Sequence, residues 1–69
     1  MHFSYDEEND IAYIRLFDLP DRAARTAVSV ALDAPDPRGE IVLDFNAEGH
    51  LTGIEVMNAR RQLPPEAFG

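Results

Sequence analysis

The chain contains no cysteine, no lysine and no tryptophan, and its four glycines are scattered at Gly39, Gly49, Gly53 and Gly69. Without cysteine there is neither a disulfide nor a thiolate metal site. A small fold therefore loses two of its usual supports and must rely on packing, an oxygen-ligated ion or a partner chain. Scattered glycines exclude a glycine-rich phosphate loop. With no cysteine or lysine, and with Ser4 and Ser29 outside any G-x-S-x-G context, the usual activated nucleophiles are missing. His2 and His50 are the only histidines and stand far apart, which reads as ordinary surface histidine rather than a ligand pair. No apolar run approaches the ~20 residues that span a bilayer. The opening Met1–Asp6 has neither a basic nor an apolar signal region. No membrane association is expected, and a cytoplasmic location is the default.

What is present fits one small domain. Sixty-nine residues bury only about 60% of their unfolded surface, which is marginal for a domain alone. Thirteen acidic residues face six basic ones, all arginine, for a formal net charge of -7. That balance repels phosphate backbones and anionic lipid; it suits a basic protein partner. A hydrophobic content of 45%, regularly punctuated, specifies a folded chain.

Apolar residues recur at period two, the spacing of strands. Strands are expected over His2–Tyr5, Ile11–Phe17, Arg25–Leu32, Glu40–Phe45 and His50–Met57. Asp6–Asp10 is a polar break, and Asp18–Ala24 a turn or single helical turn. The run Asp33–Gly39, with two prolines, is a loop. Asn46–Gly49 is a hairpin connection in which Gly49 suits positive φ. Asn58 stands as a helix N-cap before Ala59–Leu63, and Pro64-Pro65 redirects the chain. The expected fold is α+β, mainly β: a four- to five-stranded antiparallel meander with a short C-terminal helix, forming one domain over residues 1–63 with a proline-containing tail over 64–69. Two strands are apolar on both faces, and one helical turn cannot cover both. A second copy is the simplest cover, so a homodimer is expected.

The residues Tyr5-Asp6, Glu8, Asp10 and Tyr13-Ile14-Arg15-Leu16, then Arg25-Thr26, then Asp44-x-Asn46-x-x-Gly49 with Gly53-Ile54-Glu55-Val56 and Ala59, together resemble the DUF2283 family, a small bacterial domain of unknown function. The resemblance runs from about Phe3 to Leu63. The loop around Pro35–Gly39 is longer than the family's usual connection, and Glu48 stands where aspartate is more typical. The resemblance implies no catalytic residue. It implies an antitoxin-like role, since such proteins are often encoded beside small toxin-like ones.

Three constellations carry candidate chemistry. The stretch Asp44–Glu55 follows the spacing of a calcium loop except at its fifth position. Asp44, Asn46, Glu48 and Glu55 would be the ligands. The flanking segments are strands, where a calcium hand needs helices, so a plain hairpin is the alternative reading. The carboxylates of Asp6, Glu8 and Asp10 would bind a hard cation or, with Tyr13, serve acid–base chemistry at an interface; a solvated turn is the plainer account. Tyr13, Arg15, Phe17 and Glu55 are the interface candidates, with an Arg15–Glu55 ion pair covered by Tyr13. The leading expectation is a non-enzymatic interaction module, homodimeric and antitoxin-like toward a basic protein. A small metal-binding domain and an enzyme with an interface site are the alternatives. No cofactor is expected.

Overall fold

The computed structural model describes residues 1–35 and 39–69. Its elements are β1 (His2–Asp6), β2 (Ile11–Arg15), α1 (Asp21–Ala24), β3 (Val28–Asp33), β4 (Glu40–Phe45), β5 (Leu51–Met57), α2 (Ala59–Gln62) and a 3-10 turn, Pro65–Phe68. The five strands form one antiparallel sheet, and a short C-terminal helix follows it. The expected loop at 33–39 falls partly on residues 36–38, outside the described residues.

The strand order is β1-β2-β5-β4-β3, not sequential. Both β1–β2 and β3–β4–β5 are consecutive antiparallel runs, but β5 joins the two groups by pairing with β2. The reason lies in the segment between β2 and β3. It is long enough to pass the ends of β5 and β4, about 14 Å or three interstrand spacings. The central place then goes to β5, whose Ile54 and Val56 gain neighbours on both sides. On its way the crossing segment forms α1 and is tied to the β4–β5 turn by the Asn46 amide, which donates to the Ala23 carbonyl (3.0 Å).

Two strands are shorter than the sequence pattern suggests. β2 stops at Arg15, opposite the first residue of β1, and β3 begins only at Val28, opposite Phe45. A strand ends where its partners end, so Phe17 lies past the ladder, 59% exposed.

Ala12, Val56 and Ala59 are buried at one corner of the sheet, ringed by Tyr5, Ile41, Ile54, Leu63 and Phe68. The C-terminal segment is anchored there by Asp10 rather than by its own cap. Asn58 takes the left-handed conformation (φ 54°, ψ 49°), and its side chain makes no capping bond. Instead the backbone N–H of Ala59 donates to the Asp10 carbonyl (3.0 Å), and that of Arg60 donates to Asp10 Oδ1 (3.0 Å). The Tyr5 hydroxyl donates to the same Oδ1 (2.7 Å). Asp10 is itself left-handed (φ 55°), which Asp and Asn tolerate better than most residues. The Arg60 guanidinium lies 5.0 Å from the Tyr5 ring centre and 4.2 Å from that of Phe68, and Tyr5 and Phe68 meet edge to face at 4.7 Å.

Asp10→Ala removes two accepted bonds and leaves a side chain ill-suited to positive φ. It is expected to lower stability by about 2–3 kcal/mol, read as a fall in the urea midpoint. Asp10→Asn keeps an acceptor and the backbone tolerance, and is expected to cost less than half as much.

Candidate functional site

Strand register sorts the side chains into two faces. On the back face, one row runs Ser4–Tyr13–Glu55–Val42–Ala31 and the next runs His2–Arg15–Gly53–Asp44–Ser29. Gly53 has a specific job in this arrangement. A Cβ there would strike the hydroxyl and ring of Tyr13, so Tyr13 lies across the space that a side chain would fill. Beside it Asp44 is only 3% exposed. The Ser29 hydroxyl donates to Asp44 Oδ1 (2.7 Å). Glu55 stands diagonally across from Asp44 on the same face, a separation of about 7–8 Å between backbones that a glutamate can bridge. Burial first, then the hydrogen bond and charge of Asp44, push Glu55 above the ordinary glutamate value. Burial also pushes the Tyr13 phenol up, reinforced by the charges of Asp44 and Glu55 and opposed by Arg15. The back-face centre thus gathers two carboxyl side chains between a serine and a tyrosine.

The front face is apolar. Its middle row is Phe3–Ile14–Ile54–Leu43–Val30, one residue from each strand. The row above, Tyr5–Ala12–Val56–Ile41–Leu32, runs beneath the C-terminal segment at all but its last position, and Phe45 with Val28 extends the surface below. Val28, Val30 and Leu32 are 56%, 41% and 46% exposed, and Phe3 is 43% exposed.

A family model described as "Protein of unknown function (DUF2283)" matches residues 2–60. The chain belongs to this family. No curated protein and no solved structure matches it. The DUF2283 resemblance in the sequence now has a physical basis at most of its positions. Tyr5 and Asp10 build the anchor for Ala59; Asp6 accepts from the Asn9 amide and backbone, which holds it below the ordinary aspartate value. Tyr13, Asp44, Gly53 and Glu55 form the back-face cluster. Asn46 builds the turn: its Oδ1 accepts the backbone N–H groups of Glu48 (3.1 Å) and His50 (3.0 Å), and Gly49 takes φ 82°.

The calcium-loop candidates do not converge. Asp44 and Glu55 meet on the back face, whereas the Asn46 oxygen is committed to the turn and Glu48 is exposed at its tip. Among the described residues no group of three or more His, Asp or Glu side chains is placed to hold a metal ion. The acidic turn and Tyr13 are likewise separated. Asp10 serves the front-face anchor, Glu7 and Glu8 point to solvent, and Tyr13 lies on the back face. The expected Arg15–Glu55 pair is replaced. Glu55 lies diagonally beside Asp44, and Arg15 is an exposed neighbour of Tyr13. Of the interface candidates, Tyr13, Arg15 and Glu55 share the back face, while Phe17 is exposed past the end of β2. His2 lies 2.8 Å from Asp18 and His50 lies 3.8 Å from Glu48, both exposed. The residues that the sequence reading passed over as site members are Ser29, Gly53 and the β3 valines. The period-two pattern Val28, Val30, Leu32 was the available signal.

Gly53→Ala drives a methyl into Tyr13 and is expected to cost about 1–3 kcal/mol. In the double variant with Tyr13→Ala the two losses are expected to be less than additive, which a thermal-unfolding double-mutant cycle measures.

Proposed function

We propose that this DUF2283 domain is a homodimeric interaction module, antitoxin-like toward a basic partner protein, in which two copies meet through their front faces. The observation that carries the reading is the apolar row Phe3–Ile14–Ile54–Leu43–Val30, exposed at Phe3 and Val30 and part-exposed between them, with exposed Val28 and part-exposed Phe45 beside it. A compact monomer of 7.7 kDa is expected to expose about 4,300 Å², whereas this chain exposes 4944 Å². The excess of about 600 Å² approaches the ~800 Å² that one partner contributes to a standard interface.

Charge distribution agrees with front-to-front association. The front-face rows contain no ionised side chain, so two copies of net charge -7 bring apolar surfaces together and keep their acids apart. The back face carries the row Asp6–Ile11–Met57–Glu40–Asp33, acidic at both ends. In such a dimer it faces outward, where a basic protein would be attracted to it.

Light scattering at high micromolar concentration is expected to give twice the 7.7 kDa protomer mass. Val30→Glu, a change at an exposed position of an edge strand, is expected to give a folded monomer with unchanged far-UV circular dichroism. A wild-type chain that runs as a monomer at that concentration sinks the dimer. Co-expression with the product of the adjacent gene tests the partner: the antitoxin-like reading requires a complex that survives purification.

A further inference from the structure

We propose that the outer edge of β3 is a strand-addition site that takes an extended basic segment of the partner protein. This deepens the reading above and rests on it for the existence of a basic partner; the edge itself is a property of one chain.

In an antiparallel ladder the N–H and C=O of alternate residues point to opposite neighbours. The Leu16 N–H bonds the Thr52 carbonyl (3.0 Å). Carried through the register, that bond assigns the backbone groups of Val28, Val30 and Leu32 to β4 and those of Ser29, Ala31 and Asp33 to the outer edge. β3 pairs with β4 alone, and all six of its residues are exposed. Natural sheets blunt such an edge with lysine, proline or a covering segment. The stretch Val28–Leu32 is uncharged, contains no proline and alternates apolar with small residues. The opposite edge is treated differently. The same register turns the backbone groups of Phe3 and Tyr5 outward on β1. There Phe68 of the C-terminal turn packs edge to face on both rings, at 6.0 and 4.7 Å. One edge of the sheet is guarded and the other is open.

What fits the open edge follows from the two faces that meet there. An added strand continues the alternation of the sheet. Its residues opposite Val30 and Leu32 extend the apolar front face, and those opposite Ser29, Ala31 and Asp33 lie on the back face. On that face Asp33 and Glu40 are paired across the ladder, both exposed. The three strands nearest the edge, β3, β4 and β5, contain Asp33, Glu40, Asp44 and Glu55 and no arginine. The matching segment is therefore basic opposite Asp33, apolar opposite Leu32 and Val30, and bonded through its backbone to the outward groups. A second copy of the chain matches poorly. Self-pairing through all three outward residues centres on Ala31 and sets Asp33 of each copy opposite Ser29 of the other, beside Asp44. That brings carboxylates together between chains of net charge -7, which is destabilising.

An end-capped peptide of alternating lysine and valine, about seven residues long as strands commonly are, is the probe. It is titrated into isotope-labelled protein at low ionic strength. The Ser29, Ala31 and Asp33 amides are expected to shift and gain exchange protection, and those of Phe3 and Tyr5 to stay unchanged. A glutamate–valine peptide of the same length is expected not to bind. Ala31→Pro removes an outward donor and spares the β4 ladder, since proline is tolerated on an edge strand with its nitrogen outward. It is expected to weaken the peptide about tenfold with unchanged far-UV circular dichroism. A second arm leaves the protein untouched. N-methylation of the lysines, whose N–H groups face β3 in this register, is expected to abolish binding, whereas N-methylation of the valines leaves it intact. Equal shifts at Phe3 and Tyr5, binding of the glutamate–valine peptide, or binding that survives N-methylation of the lysines overturns the site. Protection of the Ser29, Ala31 and Asp33 amides that rises with concentration in the protein alone gives the edge to a second copy and also overturns it. The antitoxin-like reading fails separately. A complex with the adjacent gene product that Ala31→Pro leaves intact sinks the edge and keeps that reading; a wild-type chain that forms no complex sinks the reading, and the peptide still decides the edge.

Discussion

A single layer of five strands has two faces, and the residues after β5 are enough to cover one corner of one of them. Everything else about the molecule follows from how the uncovered area is managed. Fully burying a valine or leucine side chain is worth about 1.5–3 kcal/mol. A domain of this size has a total stability of roughly 3–10 kcal/mol. Leaving Val28, Val30 and Leu32 about half in water therefore forfeits about 2–4 kcal/mol, a large share of that stability. The chain contains no disulfide to make up the difference.

The covered corner shows how little chain is needed when it is anchored well. Asp10 accepts from the Tyr5 hydroxyl and from two backbone groups at the start of α2, so the first hairpin and the last helix share one residue. A four-residue helix has no independent stability. It persists here because Ala59 is fully buried, and because Arg60, though exposed, lies over two aromatic rings. The insertion of β5 beside β2 makes this economical: the chain leaves β5 at Met57, opposite Ile11, and Asp10 is the next residue back along the hairpin.

How far this was legible in the sequence depends on the range of the interaction. Period-two patterning located all five strands, because alternation is a local property; Glu40–Phe45 agrees to the residue. The Asn46–Gly49 turn was legible for the same reason. Strand order was not, since the segment between β2 and β3 permits either a sequential turn or a crossing, and only the burial gained by β5 decides. The pairing of Asp44 with Glu55 was hidden for a related reason. Their spacing resembled one encircling loop, but the turn at Asn46 folds them onto facing strands, where they meet side by side without the residues between. The glycine that makes room for Tyr13 reads in sequence as a weak position in a strand; its purpose exists only once β2 lies next to β5.

Period two also couples the two faces through β3. Ser29 points to the buried Asp44, and its neighbours Val28 and Val30 point to the open apolar face. No rigid-body shift of this strand can loosen the serine without moving the valines, because the backbone between them is one residue long. An interior strand would resist such a shift with ladders on both sides. β3 has a ladder on one side only, so its position is set by the β4 ladder and whatever grips its side chains. Contacts on the back face and contacts on the front face therefore both bear on where β3 sits.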